Sequence, residues 1–154
     1  MKRLPAALLT VILLVGGLAA QEADDAEPAG QTTVRFGAVD VYIDSGETPL
    51  AAYQLELAAE VGEVKIVGIE GSDHPAFKKP PYYDPAAMNR DRVILAAFTT
   101  RKELPKGKTR VARIHVQIIG EVQPQYAVKL DLAATTEGKQ MPAKVSLTPQ
   151  GETK

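Results

Sequence analysis

The alternation in residues 110–120, RVARIHVQIIG, decides the fold class of this chain. Apolar residues occupy every second position, and polar residues fill the positions between them. The apolar set is Ala112, Ile114, Val116 and Ile118, and the polar set is Arg113, His115 and Gln117. Successive side chains of a strand point to opposite faces, so this period predicts a strand with one buried and one solvated face.

Six other segments carry strand-like runs: TVRFGAVDVYIDSG (33–46), AYQLELAAE (52–60), EVKIVGIEG (63–71), RVILAAFTT (92–100), QYAVKLDLAATT (125–136) and AKVSLTP (143–149). Gly, Pro, Asp and Ser separate the runs, as expected of turns. Only DPAAMNRD (84–91) suggests a helical turn, with Asp84 as its cap and Pro85 at its first position. The pattern predicts an all-β protein, an antiparallel two-sheet β-sandwich of about eight to nine strands.

The inward faces follow from the same alternation. We expect Val34 and Phe36, then Val39, Val41 and Ile43, to alternate with polar or small neighbours, with a bulge or bend where the phase changes at Gly37 and Ala38. The next run places Tyr53, Leu55 and Leu57 opposite Gln54 and Glu56, and a later run aligns Tyr126, Val128, Leu130 and Leu132 against Lys129 and Asp131. These faces predict the core of the sandwich.

The N-terminus has the pattern of an export signal. Residues 1–20, MKRLPAALLTVILLVGGLAA, begin with two basic residues, continue with an apolar stretch and end in small residues. This order predicts a signal peptide cleaved near Ala20, with a retained N-terminal anchor as the alternative. We interpret residues 21–31 as a flexible acidic spacer, residues 32–148 as the folded domain and residues 149–154 as a frayed tail.

Charge and cysteine content limit the functional classes. Removal of the leader takes away Lys2 and Arg3 and leaves 16 basic against 19 acidic residues, which offers no electrostatic footprint for nucleic acid. The chain has no cysteine, which excludes disulfides, thiol chemistry and lipid attachment to an N-terminal cysteine. We therefore expect an exported protein, periplasmic or extracellular, that has no membrane attachment once the signal is cleaved.

Two stretches give the chain a family likeness. Residues 39–73, VDVYIDSGETPLAAYQLELAAEVGEVKIVGIEGSD, resemble the first half of a cohesin-like domain, and residues 91–118, DRVILAAFTTRKELPKGKTRVARIHVQI, resemble its second half. The likeness covers about residues 33–132 and consists of strand order and hydrophobic texture. It implies a jelly-roll sandwich, the fold that cohesins share with some carbohydrate-binding modules.

The resemblance also implies a mode of action. Cohesins bind dockerin domains through one sheet face and have no catalytic activity. The matching strands here are 52–60 and 92–100, whose outward residues include Gln54 and Glu56. The second strand presents either Val93, Leu95 and Ala97 or Ile94, Ala96 and Phe98, because both of its faces are apolar.

Residues 72–85, SDHPAFKKPPYYDP, distinguish this chain from a plain sandwich of that kind. Pro80 and Pro81 favour extended geometry, so Tyr82 and Tyr83 should point to opposite sides. One of them can bind a sugar ring or a peptide; alternatively, Phe77 and one tyrosine pack beneath the loop while its lysines are solvated. His74 and Asp84 complete the candidate partner-binding residues of this segment, alongside Gln54 and Glu56 of the sheet face.

Metal and catalytic sites have little basis in the residue types. Zinc requires several converging His or Cys ligands, and the domain has only His74 and His115. Calcium is the alternative, with Asp40, Asp44, Glu47, Asp73 and Asp84 as oxygen ligands. No serine lies in a nucleophile-elbow motif. We therefore predict no cofactor and a non-enzymatic protein that binds a protein partner, dockerin-like or from the envelope, with polysaccharide as the alternative ligand.

Overall fold

The computed structural model describes residues 32–153, with side chains up to residue 151. The predicted signal peptide and acidic spacer, residues 1–31, lie outside the described residues. Within residues 32–153 there is no helix both long and apolar enough to cross a membrane.

In the part of the chain that the structure describes, seven strands form two antiparallel sheets, which confirms the predicted all-β, two-sheet fold class. The strands are β1 (Val34–Asp44), β2 (Ala52–Val61), β3 (Glu63–Glu70), β4 (Arg92–Phe98), β5 (Lys108–Ile119), β6 (Gln125–Ala134) and β7 (Lys144–Thr153). One sheet has the order β3-β5-β1-β7, and the other has the order β4-β2-β6. Two 3₁₀ turns, Pro75–Phe77 and Pro85–Ala87, lie between β3 and β4.

The described residues 32–153 contain seven strands, below the predicted eight to nine, and β1 is one continuous strand. Its pairing with β5 runs without interruption from Val34 to Val41, while its pairing with β7 slips between Phe36 and Ala38. The extra residue of this slip lies in β7, between Gln150 and Thr153, so the irregularity predicted at Gly37 is found in the partner strand and β1 itself continues without a bulge there.

The uninterrupted alternation along β1 turns Arg35 inward and leaves Val34 and Phe36 exposed on the outer face. The expectation that these two apolar residues belong to the buried series was therefore wrong. The Arg35 guanidinium donates from Nη2 to the carbonyl oxygens of Gly120 and Val122, at 3.3 and 3.0 Å, and from Nη1 to Gln123 Oε1 at 3.2 Å.

The core lies between the two sheets and follows the predicted alternation elsewhere. Ala112, Ile114, Val116 and Ile118 of β5 are buried, as are Tyr53, Leu55 and Leu57 of β2. The Tyr53 hydroxyl donates to the Val111 carbonyl at 3.2 Å, and the Tyr53 ring meets Phe77 edge to face at 5.4 Å. Phe77 thus anchors the β3–β4 connection in the core.

Two strands end or turn differently from expectation. In β6, the register against β2 slips at Asp131, so Leu130 points inward and Leu132 outward, and Leu132 leaves the predicted buried row. β7 continues to Thr153, past the domain end expected at residue 148, because residues 149, 150 and 153 pair with β1. Residues 149–153 are therefore held by main-chain hydrogen bonds to β1, without a buried apolar side chain of their own.

Candidate binding surface

The outer face of the three-stranded sheet brings together residues from all three strands. Glu56 of β2 lies between Ile94 and Lys129, and Gln54 lies between Ala96 and Leu132. The register of β4 therefore places Ile94, Ala96 and Phe98 outward. Val93 and Leu95 are buried in the core, which decides between the two alternatives that the sequence leaves open.

Large apolar side chains of this face are open to solvent. Phe98 is 66% exposed, Ile94 50% and Leu132 37%, and the neighbouring Tyr82 is 69% exposed. We call these four residues the apolar patch. The Tyr82 and Phe98 rings stack on each other, with centroids 6.2 Å apart and planes inclined by 15°. Such a cluster of exposed apolar residues is typical of an interaction surface, whereas single exposed apolar residues are common on any protein.

Charged side chains border the apolar patch in pairs of opposite sign. Arg92 forms an ion pair with Glu56, and Lys129 lies 2.7 Å from Asp131. The ion pair with Lys129 lowers the pKa of Asp131 and raises that of Lys129. Both pairs are at the surface and contribute little to folding. On this face, Gln54 and Glu56 of the central strand β2 lie between the apolar residues of β4 and the outward residues of β6.

The β3–β4 connection is shaped by its own side chains. In the first 3₁₀ turn, His74 Nδ1 accepts the Ala76 N–H at 3.1 Å, and Ser72 Oγ accepts the His74 N–H at 2.9 Å. In the second, Asp84 Oδ1 accepts the Ala86 N–H at 2.9 Å, with Pro85 at the first position, as predicted. His74 and Asp84 therefore act as local caps, and they do not converge on a common site.

The two tyrosines of the connection point to opposite sides, which confirms the prediction from their spacing. Tyr83 is half-buried and packs against the core, and Phe77 lies buried beneath the same segment. Tyr82 faces solvent. Its main-chain N–H donates to the Ala96 carbonyl, and the Ala96 N–H donates to the Tyr82 carbonyl, with N···O distances of 2.7 and 3.0 Å. The bridge fixes Tyr82 beside the outer face of β4, so the connection and the sheet face form one surface.

A groove of about 650 Å³ lies between residues 75–80 and residues 97–101. Tyr82 and Phe98 supply its aromatic wall, and its cations are Lys78, Lys79 and Arg101. Among the described residues, no carboxylate lines this groove. We call it the aromatic–basic groove. Tyr82 was a candidate from the sequence, and Phe98 belonged to one of the two alternatives for the outward face of its strand. Arg101, which follows the end of β4, was not predicted, because it gave no local signal.

The opposite sheet carries a second polar cluster that sequence reasoning did not identify. Asp40 is only 3% exposed, and its carboxylate accepts two hydrogen bonds from Arg113, at 2.7 and 2.9 Å, and one from Arg110, at 3.3 Å. Arg110 also reaches Asp73 at 2.5 Å, which ties the β3–β4 connection to β5. Nearby, His115 Nε2 lies 2.9 Å from Glu70.

This cluster engages two of the proposed calcium ligands, Asp40 and Asp73, with guanidinium groups. A third, Asp44, accepts the Gly46 N–H at 3.0 Å in the turn after β1, where Gly46 has a φ of 58°. In the part of the chain that the structure describes, no three His, Asp or Glu side chains group to hold a metal ion.

The pairing of Asp40 predicts an acid-sensitive stability. Hydrogen bonds from Arg113 lower the pKa of Asp40 below its ordinary value of 3.8, against the opposing effect of burial. A carboxyl group with a lowered pKa in the folded state contributes stability that is complete above the unfolded-state value and is lost as the pH falls through the folded-state value. We expect the free energy of unfolding to decrease below about pH 4, and to do so less steeply in Asp40→Asn, as measured by urea unfolding between pH 6 and pH 2.

The control for this prediction is Asp131→Asn, which removes a carboxylate from an exposed pair. It should leave the acid dependence close to that of the wild type, because surface pairs are solvated and screened. An Asp40→Asn protein with the same acid dependence as the wild type would contradict the prediction.

Comparisons of the chain with models of protein families, with curated proteins and with solved structures found no match. The resemblance to cohesin-like domains therefore stays a prediction.

Proposed function

We propose that this protein is a non-catalytic, exported binding module that binds a protein partner through the outer face of its three-stranded sheet. The observation that carries the proposal is the apolar patch, whose members come from β4, β6 and the β3–β4 connection. The face includes Gln54 and Glu56, the residues that the likeness to cohesin-like domains associates with partner binding. Protein interfaces combine apolar side chains with polar and charged ones, and this face offers both.

The distribution of exposed side chains favours a protein ligand. Ile94 and Leu132 are aliphatic and offer packing surface without the flat ring that sugars prefer. Tyr82 and Phe98 are residues that often carry much of the binding energy when an interface covers them. The candidates for chemistry in the connection, His74 and Asp84, hold turns together, which also supports a binding role over a catalytic one.

Carbohydrate binding is the second candidate, and the exposure of Tyr82 favours it. Sugars stack on the open faces of aromatic rings. The Tyr82 and Phe98 rings are nearly parallel, with centroids 6.2 Å apart. The other large exposed residues of the patch, Ile94 and Leu132, are aliphatic, and this ranks a polysaccharide below a protein as the ligand.

The test replaces one aliphatic residue of the apolar patch. We expect Ile94→Gln to weaken capture of a partner from an envelope extract by at least about tenfold, because it places an amide where the interface buries an aliphatic side chain. Binding is measured by saturation of the immobilised protein, with free wild-type protein as competitor.

The matched control is Val34→Gln on the outer face of the other sheet. Val34 is 41% exposed against 50% for Ile94, and it also lies in a strand. Equal binding by the two variants would remove the sheet-face proposal. Retardation of the wild type in gels containing a polysaccharide, together with no saturable protein partner, would replace it with the carbohydrate alternative.

A further inference from the structure

The aromatic–basic groove differs from the rest of the candidate surface in its charge. At the rim of the apolar patch, Arg92 and Lys129 are neutralised by neighbouring carboxylates. In the groove, Lys78, Lys79 and Arg101 form no ion pair with any residue that the structure describes. The whole chain carries a formal charge of −1, so the positive groove is a local property of the fold.

We infer that this groove binds an acidic, extended peptide segment of the protein partner. The inference rests on the proposed protein-binding function and names the chemistry of the segment that is bound. Three cations without counter-ions attract carboxylates, and hydrogen bonds to ionised groups are stronger than those between neutral groups. Tyr82 and Phe98 in the same groove provide apolar contact for the side chains between the acidic residues.

The backbone at the groove suits an extended ligand. Ala96 directs its N–H and C=O away from β2 toward Tyr82. In an antiparallel strand, main-chain groups two residues apart point to the same side, so those of Phe98 point away from β2 as well. A segment lying along residues 97–101 can therefore reach the main-chain groups of Phe98 from the groove, while its side chains contact the Tyr82 and Phe98 rings and the cations of the groove.

The observations favour a peptide over an acidic polysaccharide. The groove adjoins the apolar patch through Phe98 and Tyr82, so a ligand that crosses both must offer carboxylates and aliphatic groups together. A peptide supplies both kinds of side chain, whereas a polysaccharide of acidic sugars supplies carboxylates on a polar backbone.

The experiment selects ligands from a phage-displayed library of random peptides on the purified protein. We expect selected peptides to be rich in Asp and Glu and to contain apolar residues between them. The triple variant Lys78→Glu, Lys79→Glu and Arg101→Glu should bind these peptides at least tenfold more weakly. Binding to the wild type should also weaken as the salt concentration rises, because exposed charges are screened.

The control variant carries the same charge change elsewhere: Lys106→Glu, Lys139→Glu and Lys144→Glu, all exposed residues outside the groove. It should bind the selected peptides as the wild type does. Selection of peptides without acidic enrichment, or equal binding by the two triple variants, would overturn the inference. Retardation of the wild type by polygalacturonate, with no peptide selected, would overturn it in favour of an acidic polysaccharide.

The inference and the proposed function fail in different ways. If Ile94→Gln loses the captured partner while the groove variant keeps it, the sheet-face proposal stands and the acidic-peptide inference is wrong. If Ile94→Gln and Val34→Gln bind the captured partner equally while the groove variant loses the acidic peptides, the groove binds as inferred and the sheet-face proposal is wrong.

Discussion

Replacing Asp40 by alanine is expected to lower the free energy of unfolding by about 3 kcal/mol, because it leaves two guanidinium groups without their shared carboxylate. Asp40 accepts three hydrogen bonds from Arg113 and Arg110 and is almost completely buried. In this variant Arg110 keeps its ion pair with Asp73. Arg113 loses more, because two nitrogens of its guanidinium group donate to the two carboxylate oxygens of Asp40. Urea unfolding followed by tyrosine fluorescence measures the change as a shift of the midpoint.

The control is Asp131→Ala, the same substitution in a surface pair on the other sheet. It should change the free energy of unfolding by no more than about 1 kcal/mol. Equal midpoints for Asp40→Ala and Asp131→Ala would show that the Arg113 pair is no more important to folding than a surface pair. The double variant Asp40→Leu with Arg113→Met removes both charges and should recover part of the loss, as expected when a buried pair is replaced by apolar groups.

The second large effect is expected from Gly71→Ala, at the end of β3. A methyl group there would lie within 2.6 Å of the carbonyl oxygens of Phe77, Lys78 and Lys79, which close over the glycine. The backbone of the connection must move to admit it, and the Ser72 N–H to Phe77 C=O bond of 2.8 Å lies in the path of that movement. We expect a loss of about 2–3 kcal/mol, the cost of forcing extra volume into a tightly packed site.

Gly68→Ala is the matched control, three residues earlier in the chain. Its added methyl group would meet the nearest atom of His115 at 3.5 Å, which is an ordinary contact. Gly71→Ala should also accelerate hydrogen exchange at the Ala96 amide, which donates to Tyr82 in the displaced connection, whereas Gly68→Ala should leave it protected. Similar stability and exchange in the two variants would contradict a steric role for Gly71.

The fold could be predicted from sequence where a single register satisfies the hydrophobic pattern. In residues 112–118 only one face of the strand is apolar, so only one orientation buries the apolar side chains. The structure has this orientation, with Ala112, Ile114, Val116 and Ile118 buried. The same holds for the turn at Asp84 and Pro85, whose signals are local. In β1 the pattern predicted that Val34 and Phe36 are buried, whereas Arg35 between them is the buried residue. Arg35 can point inward because the Gly120 and Val122 carbonyls accept its hydrogen bonds.

The candidate surface could be predicted only in part. Tyr82 was recognisable from its neighbouring prolines, and Gln54 and Glu56 from their alternation with Leu55. Phe98 and Ile94 stayed ambiguous, because both faces of β4 are apolar and only its pairing with β2 decides between them. Leu132 joined the surface through a one-residue slip at Asp131, and a slip of this kind leaves no trace in the hydrophobic pattern.

The Asp40 cluster was not predicted for a different reason. Asp40 and Arg113 are 73 residues apart in the chain, and their contact depends on the pairing of β1 with β5. Each residue taken alone is an ordinary polar position of an outward face. The burial of the carboxylate follows only when the two arginines and the β3–β4 connection are placed over it.

The bridge between Tyr82 and Ala96 has a further consequence for the behaviour of the protein in concentrated solution. β4 is an edge strand, and a bare edge invites another copy of the chain to continue the sheet. The main chain of Tyr82 already occupies the middle of that edge, and Pro80 and Pro81 beside it have no N–H to offer to an incoming strand. The same segment that presents Tyr82 to a ligand therefore also limits sheet-to-sheet aggregation at β4.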